Sequence, residues 1–160
     1  MIYAVTDIET TGGSTKSTKI TEIAIYLTNG ETIIDHYTSL INPECPIPHF
    51  ITRLTGISDE MVKNSPRFYE IAREIIEFIG DSVFVAHNVG FDYNVLRAEY
   101  SSLGFDFRMP HLCTVRSARY MIPGHNSYSL GKITDDLNIQ LENRHRAAGD
   151  ALATAKLFQH

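Results

Sequence analysis

The chain opens on MIYAVTDIETTGG, residues 1–13. Residues 2–7 read as a buried first strand, apolar on both faces, and two carboxylates, Asp7 and Glu9, stand at its end. Side chains at i and i+2 of a strand point to one face, so this pair shares a side, about 7 Å apart at Cα by strand rise. Two partly buried like charges repel, and each loses hydration. Such a pair calls for a cation between its members.

The composition sets the frame. A chain of 160 residues suits a single domain with a sizeable core. It is 43% hydrophobic and 21% charged, the balance of an ordinary globular protein. No apolar run approaches the roughly 20 residues of a membrane span, and no secretory leader pattern opens the chain. Cys45 and Cys113 stand alone, which fits a reduced, cytoplasmic protein with no zinc site. The net charge of −5 argues against coating nucleic acid by charge alone. It does not argue against a nuclease, whose bound cations reverse the local field.

Outward from the first strand, KITEIAIYL (19–27) and TIIDHYTSL (32–40) read as two more strands. Asn29-Gly30 between them is a strong hairpin signal. INPECPIPHF (41–50), with three prolines, reads as loop. SPRFYEIAREIIEFIG (65–80) reads as a helix capped by Ser65, with Pro66 at its first position and Gly80 at its end. A short strand SVFVAHN (82–88) follows, then a helix over 92–103 stopped by Gly104. HLCTV (111–115) suits a parallel strand, and helices are predicted over 129–137 and 147–159. Antiparallel strands followed by alternating helix and strand give a mixed sheet flanked by helices.

Four carboxylates fall at element ends: Asp7, Glu9, Asp92 in AHNVGFD, and Asp150 in HRAAGDA. Sites in open α/β sheets form at the carboxyl ends of the strands. A last helix beside the first strand would add Asp150. Oxygen-only donors suit Mg²⁺ or Mn²⁺, and two such ions can clamp the attacking and leaving oxygens of a phosphodiester. Each carboxylate alone is ambiguous, since an acid at a strand end or in a first helical turn is commonplace.

TDIETTG, AHNVGFDYNVL and HRAAGDA, in this order, resemble the three exonuclease motifs of the DEDDh family, that of the proofreading epsilon subunit of bacterial DNA polymerase III. The likeness runs over essentially the whole chain. It implies an RNase H-like fold, a five-stranded mixed sheet with helices on both faces. It also implies 3′→5′ exonucleolysis with two divalent cations, Mg²⁺ or Mn²⁺. By the resemblance, Asp7, Glu9, Asp92 and Asp150 are metal ligands and His145, five residues before Asp150, is the general base. A neutral imidazole near pH 7 suits that role. The other histidines at 36, 49, 111, 125 and 160 read as surface residues.

The resemblance extends to substrate contacts. Thr10 matches the residue whose backbone meets the terminal 3′-hydroxyl, and His87, Asn88 and Phe91 match the wall of the terminal-nucleotide pocket. Phe91 reads equally as core. RLTGISDEM (53–61) resembles the segment that wedges between the last two bases, with Leu54 as the wedge. Thr55 replaces a histidine common there, while Ile57 and Met61 read as core. GGSTKSTK (12–19) reads as a flexible, solvated connection, and Arg116, Arg119 and Lys132 fall near the expected substrate path. The implied substrate is single-stranded DNA or a DNA 3′ end. RNA trimming by the same catalytic set and an idle end-binding module are the alternatives. The organisation expected is one exonuclease domain over residues 1–160, free-standing or the N-terminal part of a longer chain. Its expected partners are a polymerase or a fused nuclease or helicase module, with no membrane association.

Overall fold

The computed structural model describes residues 1–160. In chain order it runs β1 (Tyr3–Thr10), β2 (Ile20–Thr28), β3 (Ile33–Leu40), α1 (His49–Thr55), α2 (Asp59–Val62), α3 (Phe68–Ile79), β4 (Val83–Ala86), α4 (Val89–Ser102), β5 (His111–Cys113), α5 (Thr114–Met121), α6 (Leu130–Asp136) and α7 (Ala147–Gln159). The five strands form one sheet in the order β3-β2-β1-β4-β5. The first three pair antiparallel, and β4 and β5 add parallel to β1. This is the five-stranded mixed sheet expected from the motifs. No helix is long and apolar enough to cross a membrane.

The pleat divides the chain into two packing faces. Ala4 and Ile8 of β1, Ile23 and Ile25 of β2 and Phe84 of β4 form the main core with Ile71, Ile75 and Ile79 of α3 and Val95, Leu96 and Tyr100 of α4. Val5, Ala24 and Val85 point the other way, onto α7. That helix presents Ala147, Ala151 and Ala155 at a spacing of four, a stripe of small side chains that lets it lie close on the sheet. Asp7 and Glu9, in phase with Val5, therefore lie on the α7 side.

Local chemistry explains most boundaries. The side chain of Asn29 accepts the N–H groups of Glu31 and Thr32 at 2.9 and 2.8 Å, and Gly30 takes φ +100, closing the β2–β3 hairpin. The 12–19 connection is a hydrogen-bonded turn: Thr11 N–H bonds the Lys19 carbonyl, and Ser14 O accepts from Ser17 and Thr18. α4 starts at Val89, three residues earlier than expected, because Asn88 adopts the left-handed conformation (φ +65) that asparagine tolerates. Other expectations fail: the strand expected over 111–115 ends at Cys113, and Thr114 and Val115 open α5. Ser65 does not cap α3; Pro66 and Arg67 stay extended, bridged to Asn42, so the helix begins at Phe68 with Glu70 reaching back to the Arg67 N–H. The proline-rich stretch is not loop throughout: Pro48 feeds directly into α1, which takes in His49 and Phe50.

Candidate active site

β4 pairs with β1 only from Tyr3 to Val5, so the far half of β1 has no neighbour on that edge. Asp92, in the first turn of α4, fills the gap: its Oδ1 accepts the Ile8 N–H at 3.1 Å. Its side chain is 4% exposed. From the other face of the sheet, α7 brings Asp150. Carboxylate oxygens of Asp7, Glu9 and Asp150 lie within 4.8 Å of one another. Asp92 stands beside this trio, close enough to Asp7 to raise its carboxyl.

The electrostatics are unfavourable throughout. Asp7 is pushed well above the usual carboxylate range by burial and by repulsion from Asp92, Glu9 and Asp150. Burial and repulsion from Asp150, Glu22 and Asp92 raise Glu9 to about 8. Burial raises Asp92 to about 7, against the pull of the Ile8 N–H. Asp150 is raised by burial, against the His145 N–H. Asp7 Oδ2 and Asp150 Oδ1 are buried with no hydrogen-bond partner. Orphaned buried oxygens are rare because each loses its hydration without compensation. A cation between these carboxylates would satisfy them, and an all-oxygen donor set is the kind hard divalent cations take.

His145 is held by its backbone. It sits at φ +64, an uncommon conformation for a histidine, and its N–H donates to Asp150 Oδ2 at 3.2 Å. The imidazole is half-buried, and its proximity lowers the Asp150 carboxyl. The 142–146 segment can lie on α7 only because residue 149 is glycine; a Cβ there would collide with the carbonyl oxygens of Glu142 and Asn143. Thus the one small residue in HRAAGDA that must be glycine sets where His145 stands.

Glu22 was not singled out in the sequence, although it is the lone acid in an otherwise apolar strand. It is the cross-strand partner of Glu9. Arg146 donates to it through Nε (3.1 and 3.2 Å) and Nη2 (2.7 Å), and the Ala147 N–H adds a bond of 2.6 Å. Glu22 thereby fastens the first turn of α7, and with it Asp150 and His145, to β2.

The remaining expected residues divide into available and committed ones. Thr10 is buried, and its Oγ1 accepts the Gly12 N–H. Leu54 is 52% exposed on α1 and shares that face with Phe50, 59% exposed, at a spacing of four. α1 lies against Gly12, where a Cβ would meet Ile51 and Phe50. Phe50 was missed because the prolines before it read as loop. Thr55 is not available for substrate: it is buried, donates to Ile51 O and accepts from Ile57 N, since the end of α1 turns inward. His87 is also committed. Its Nε2 meets the Tyr128 carbonyl at 2.7 Å and must donate there, leaving Nδ1 facing Thr114 Oγ1 at 2.8 Å. Burial keeps its ring neutral. It is a strut between elements instead of a free substrate contact. Asn88 is exposed, and Phe91 is half-buried against the main core. Ile57 is core, whereas Met61 is 40% exposed. His125 is not a free surface residue; its Nδ1 lies 2.8 Å from Asp136 Oδ2, and Lys132 pairs with the same acid.

A family model described as Exonuclease matches residues 4–158. The chain belongs to the exonuclease family. It is 41% identical over 158 residues to a DNA polymerase III of PolC type from Clostridium perfringens, and 39% identical over 157 residues to the 3′-5′ exonuclease DinG of Staphylococcus haemolyticus. Each match covers 98% of this exonuclease-family chain but only 11% and 17% of those longer proteins. A structure of Exonuclease X in complex with 5′ overhanging duplex DNA superposes with a TM-score of 0.79 at 26% identity, covering 98% of this chain and 89% of that one. Escherichia coli Exonuclease I in complex with a dT13 oligonucleotide shares the fold, with a TM-score of 0.86 at 18% identity over 99% of this chain and 40% of its own.

Proposed function

We propose that the chain hydrolyses the 3′-terminal phosphodiester of DNA and releases nucleoside 5′-monophosphates, using the DEDDh residue set and two divalent cations, Mg²⁺ or Mn²⁺. The observation that carries this reading is the trio of Asp7, Glu9 and Asp150, with two orphaned buried oxygens, in a chain of the exonuclease family. Asp7, Glu9, Asp92 and Asp150 hold the cations. When bound, these supply charge at the scissile phosphate and make water nucleophilic near neutral pH.

The protein residues do the rest. His145 accepts the proton of the attacking water. The water oxygen bonds to phosphorus, the bond from phosphorus to the 3′-oxygen of the penultimate nucleotide breaks, and that oxygen leaves and takes up a proton from solvent. The phosphate stays on the released nucleotide. The backbone at Thr10 receives the terminal 3′-hydroxyl, and Leu54 with Phe50 separates the last two bases. The DNA polymerase and exonuclease names of the relatives support DNA over RNA, and the PolC-type relative supports a polymerase as partner.

The test is nucleotide release from a labelled single strand with Mn²⁺. Mononucleotides are expected from a free 3′-hydroxyl end, with strong inhibition by a 3′-phosphate, indifference to a 5′ block and no release in excess chelator. Cutting of circular single strands would refute an end-dependent pocket. A tenfold preference in kcat/KM for a matched RNA, worth about 1.4 kcal/mol, would overturn the substrate and keep the chemistry.

A further inference from the structure

Phe50 and Leu54, the exposed pair on α1, stand on a small unit with a core of its own. Ile47, Ile51, Ile57 and Val62 pack together apart from the main core, with Leu40 of β3 against them. The unit is also bonded within itself. The Ile47 N–H donates to Asp59 Oδ1 at 2.9 Å, and Thr55 donates to the Ile51 carbonyl at 2.9 Å and accepts from the Ile57 N–H at 3.1 Å. A unit with its own core and its own hydrogen bonds moves as one piece. Its seat on the rest of the molecule therefore decides where the exposed pair stands.

Gly12 forms part of that seat. It sits at φ +84, and a Cβ there would lie 3.1 Å from Ile51 Cδ1, 3.4 Å from Ile51 Cγ1 and 3.7 Å from Phe50 Cζ. The first distance is tighter than side chains ordinarily pack, so any larger residue would push α1 outward by a few tenths of an ångström. Gly12 is in turn fixed to β1. Its N–H donates to Thr10 Oγ1 at 3.2 Å. Thr11 is tied across the neck of the 12–19 turn: its N–H donates to the Lys19 carbonyl at 2.9 Å, and its Oγ1 accepts the Lys19 N–H at 3.1 Å. Gly12 stands three residues beyond Glu9. A short, hydrogen-bonded piece of backbone thus links the carboxylates to the point on which α1 rests.

We infer that Gly12 is a positioning residue for the reaction: its bare Cα lets α1 close down on the end of β1, and so sets how far Phe50 and Leu54 stand from Asp7 and Glu9. The inference rests on the exonuclease reading, in which that pair parts the last two bases while the carboxylates hold the cations. The scissile phosphate is then placed between two fixed points, and misplacement by an ångström costs on the order of 10²-fold in rate. Gly12 acts through α1 and needs no contact of its own with base or cation.

The test measures kcat/KM on a labelled single strand with Mn²⁺ for the parent chain, Gly12→Ala, Gly12→Ala/Ile51→Val, Phe50→Ala/Leu54→Ala and the combination of Gly12→Ala with the last. Gly12→Ala is expected to lower kcat/KM on the order of tenfold for a displacement of a fraction of an ångström, with Mn²⁺ affinity unchanged. Ile51→Val deletes Cδ1, the atom 3.1 Å from the added Cβ, and leaves room for the alanine methyl. Adding it to Gly12→Ala is expected to recover most of the loss. In the Phe50→Ala/Leu54→Ala background there is no exposed pair left to place, so Gly12→Ala is expected to change kcat/KM by less than about twofold. Additive losses in that background, or no recovery with Ile51→Val, would overturn the inference. Amide hydrogen exchange of α1 in chelated protein reads the seat without turnover. It is expected to be faster in Gly12→Ala and to return to the parent rate in Gly12→Ala/Ile51→Val; exchange unchanged in Gly12→Ala would overturn the seat itself. If the parent releases no nucleotide at all, the exonuclease reading fails and the role in the reaction falls with it. The exchange still decides whether Gly12 seats α1.

Discussion

Glu9 and Glu22 are cross-strand partners on the face of the sheet that α7 covers, yet their surroundings are opposite. Glu22, 6% exposed, has a guanidinium fork and a backbone amide on its two oxygens. Glu9 feels Arg146, but that group is already taken by Glu22, and burial with repulsion from Asp150, Glu22 and Asp92 raises Glu9 to about 8. The chain can satisfy a buried carboxylate at this depth and does so at Glu22. One residue across the ladder it leaves three carboxylates unpaired. That difference sets a structural acid apart from the carboxylates proposed here as metal ligands.

Breaking the unpaired side has the largest expected effect. Asp7→Ala should lower turnover on the order of 10⁴-fold or more, as removal of a central catalytic group does, and abolish stabilisation by Mn²⁺. In chelated protein the same change removes a buried carboxyl whose hydration is lost without compensation, so the melting temperature should rise. A fall there would mean that Asp7 is satisfied in a way its orphaned oxygen does not show. Next in size, His145→Ala should reduce turnover by about 10²–10⁴-fold and leave Mn²⁺ affinity intact, since a general base contributes about that much. Calorimetric titration of the two variants separates ligand from base. Equal loss of metal in both would make His145 a ligand or a structural residue.

The paired side should fail by stability. Glu22→Ala leaves Arg146 and the Ala147 N–H without a partner, which costs about 1.5–3 kcal/mol, the range for hydrogen bonds to a charged group. For a domain of this size that is a drop of roughly 3–12 °C in melting temperature, read by calorimetry without metal. Glu22→Gln should recover part of it. If Glu22→Ala instead destroyed Mn²⁺ binding while keeping the melting temperature, Glu22 would belong with the ligands.

The smallest and sharpest difference is in pH. Glu9 titrates at about 8 folded and near 4.5 unfolded, so between these values the folded chain holds the extra proton. The contribution of Glu9 to the stability of the chelated protein is therefore full below about pH 4.5 and is lost as pH rises through 8. Asp7 and Asp150 act in the same direction. Thermal melts in chelator should show this decline, and saturating Mn²⁺ should flatten it. A chelated protein growing more stable from pH 5 to 8 would contradict the account.

Much of this was legible in the sequence. Period-two spacing put Asp7 and Glu9 on one face, and the three motifs named Asp92, Asp150 and His145 before any coordinate. What stayed hidden depends on long-range closure. The Arg146–Glu22 pair spans 124 residues, and nothing local marks Glu22 beyond being charged in an apolar strand. The burial of Thr55 follows from how α1 turns at Gly56, and the late start of α3 from the bridge between Asn42 and Arg67.

The central claim is that Asp7, Glu9 and Asp150, with Asp92 beside them, are unpaired because they hold divalent cations. Calorimetric titration of chelated protein with Mn²⁺ at pH 8, paired with nucleotide release from a labelled single strand by the same sample, tests it most directly. The account predicts saturable Mn²⁺ binding that Asp7→Ala removes, with release of 5′-mononucleotides appearing in step with occupancy. Release that persists in excess chelator, or Mn²⁺ binding that Asp7→Ala leaves unchanged, would contradict it.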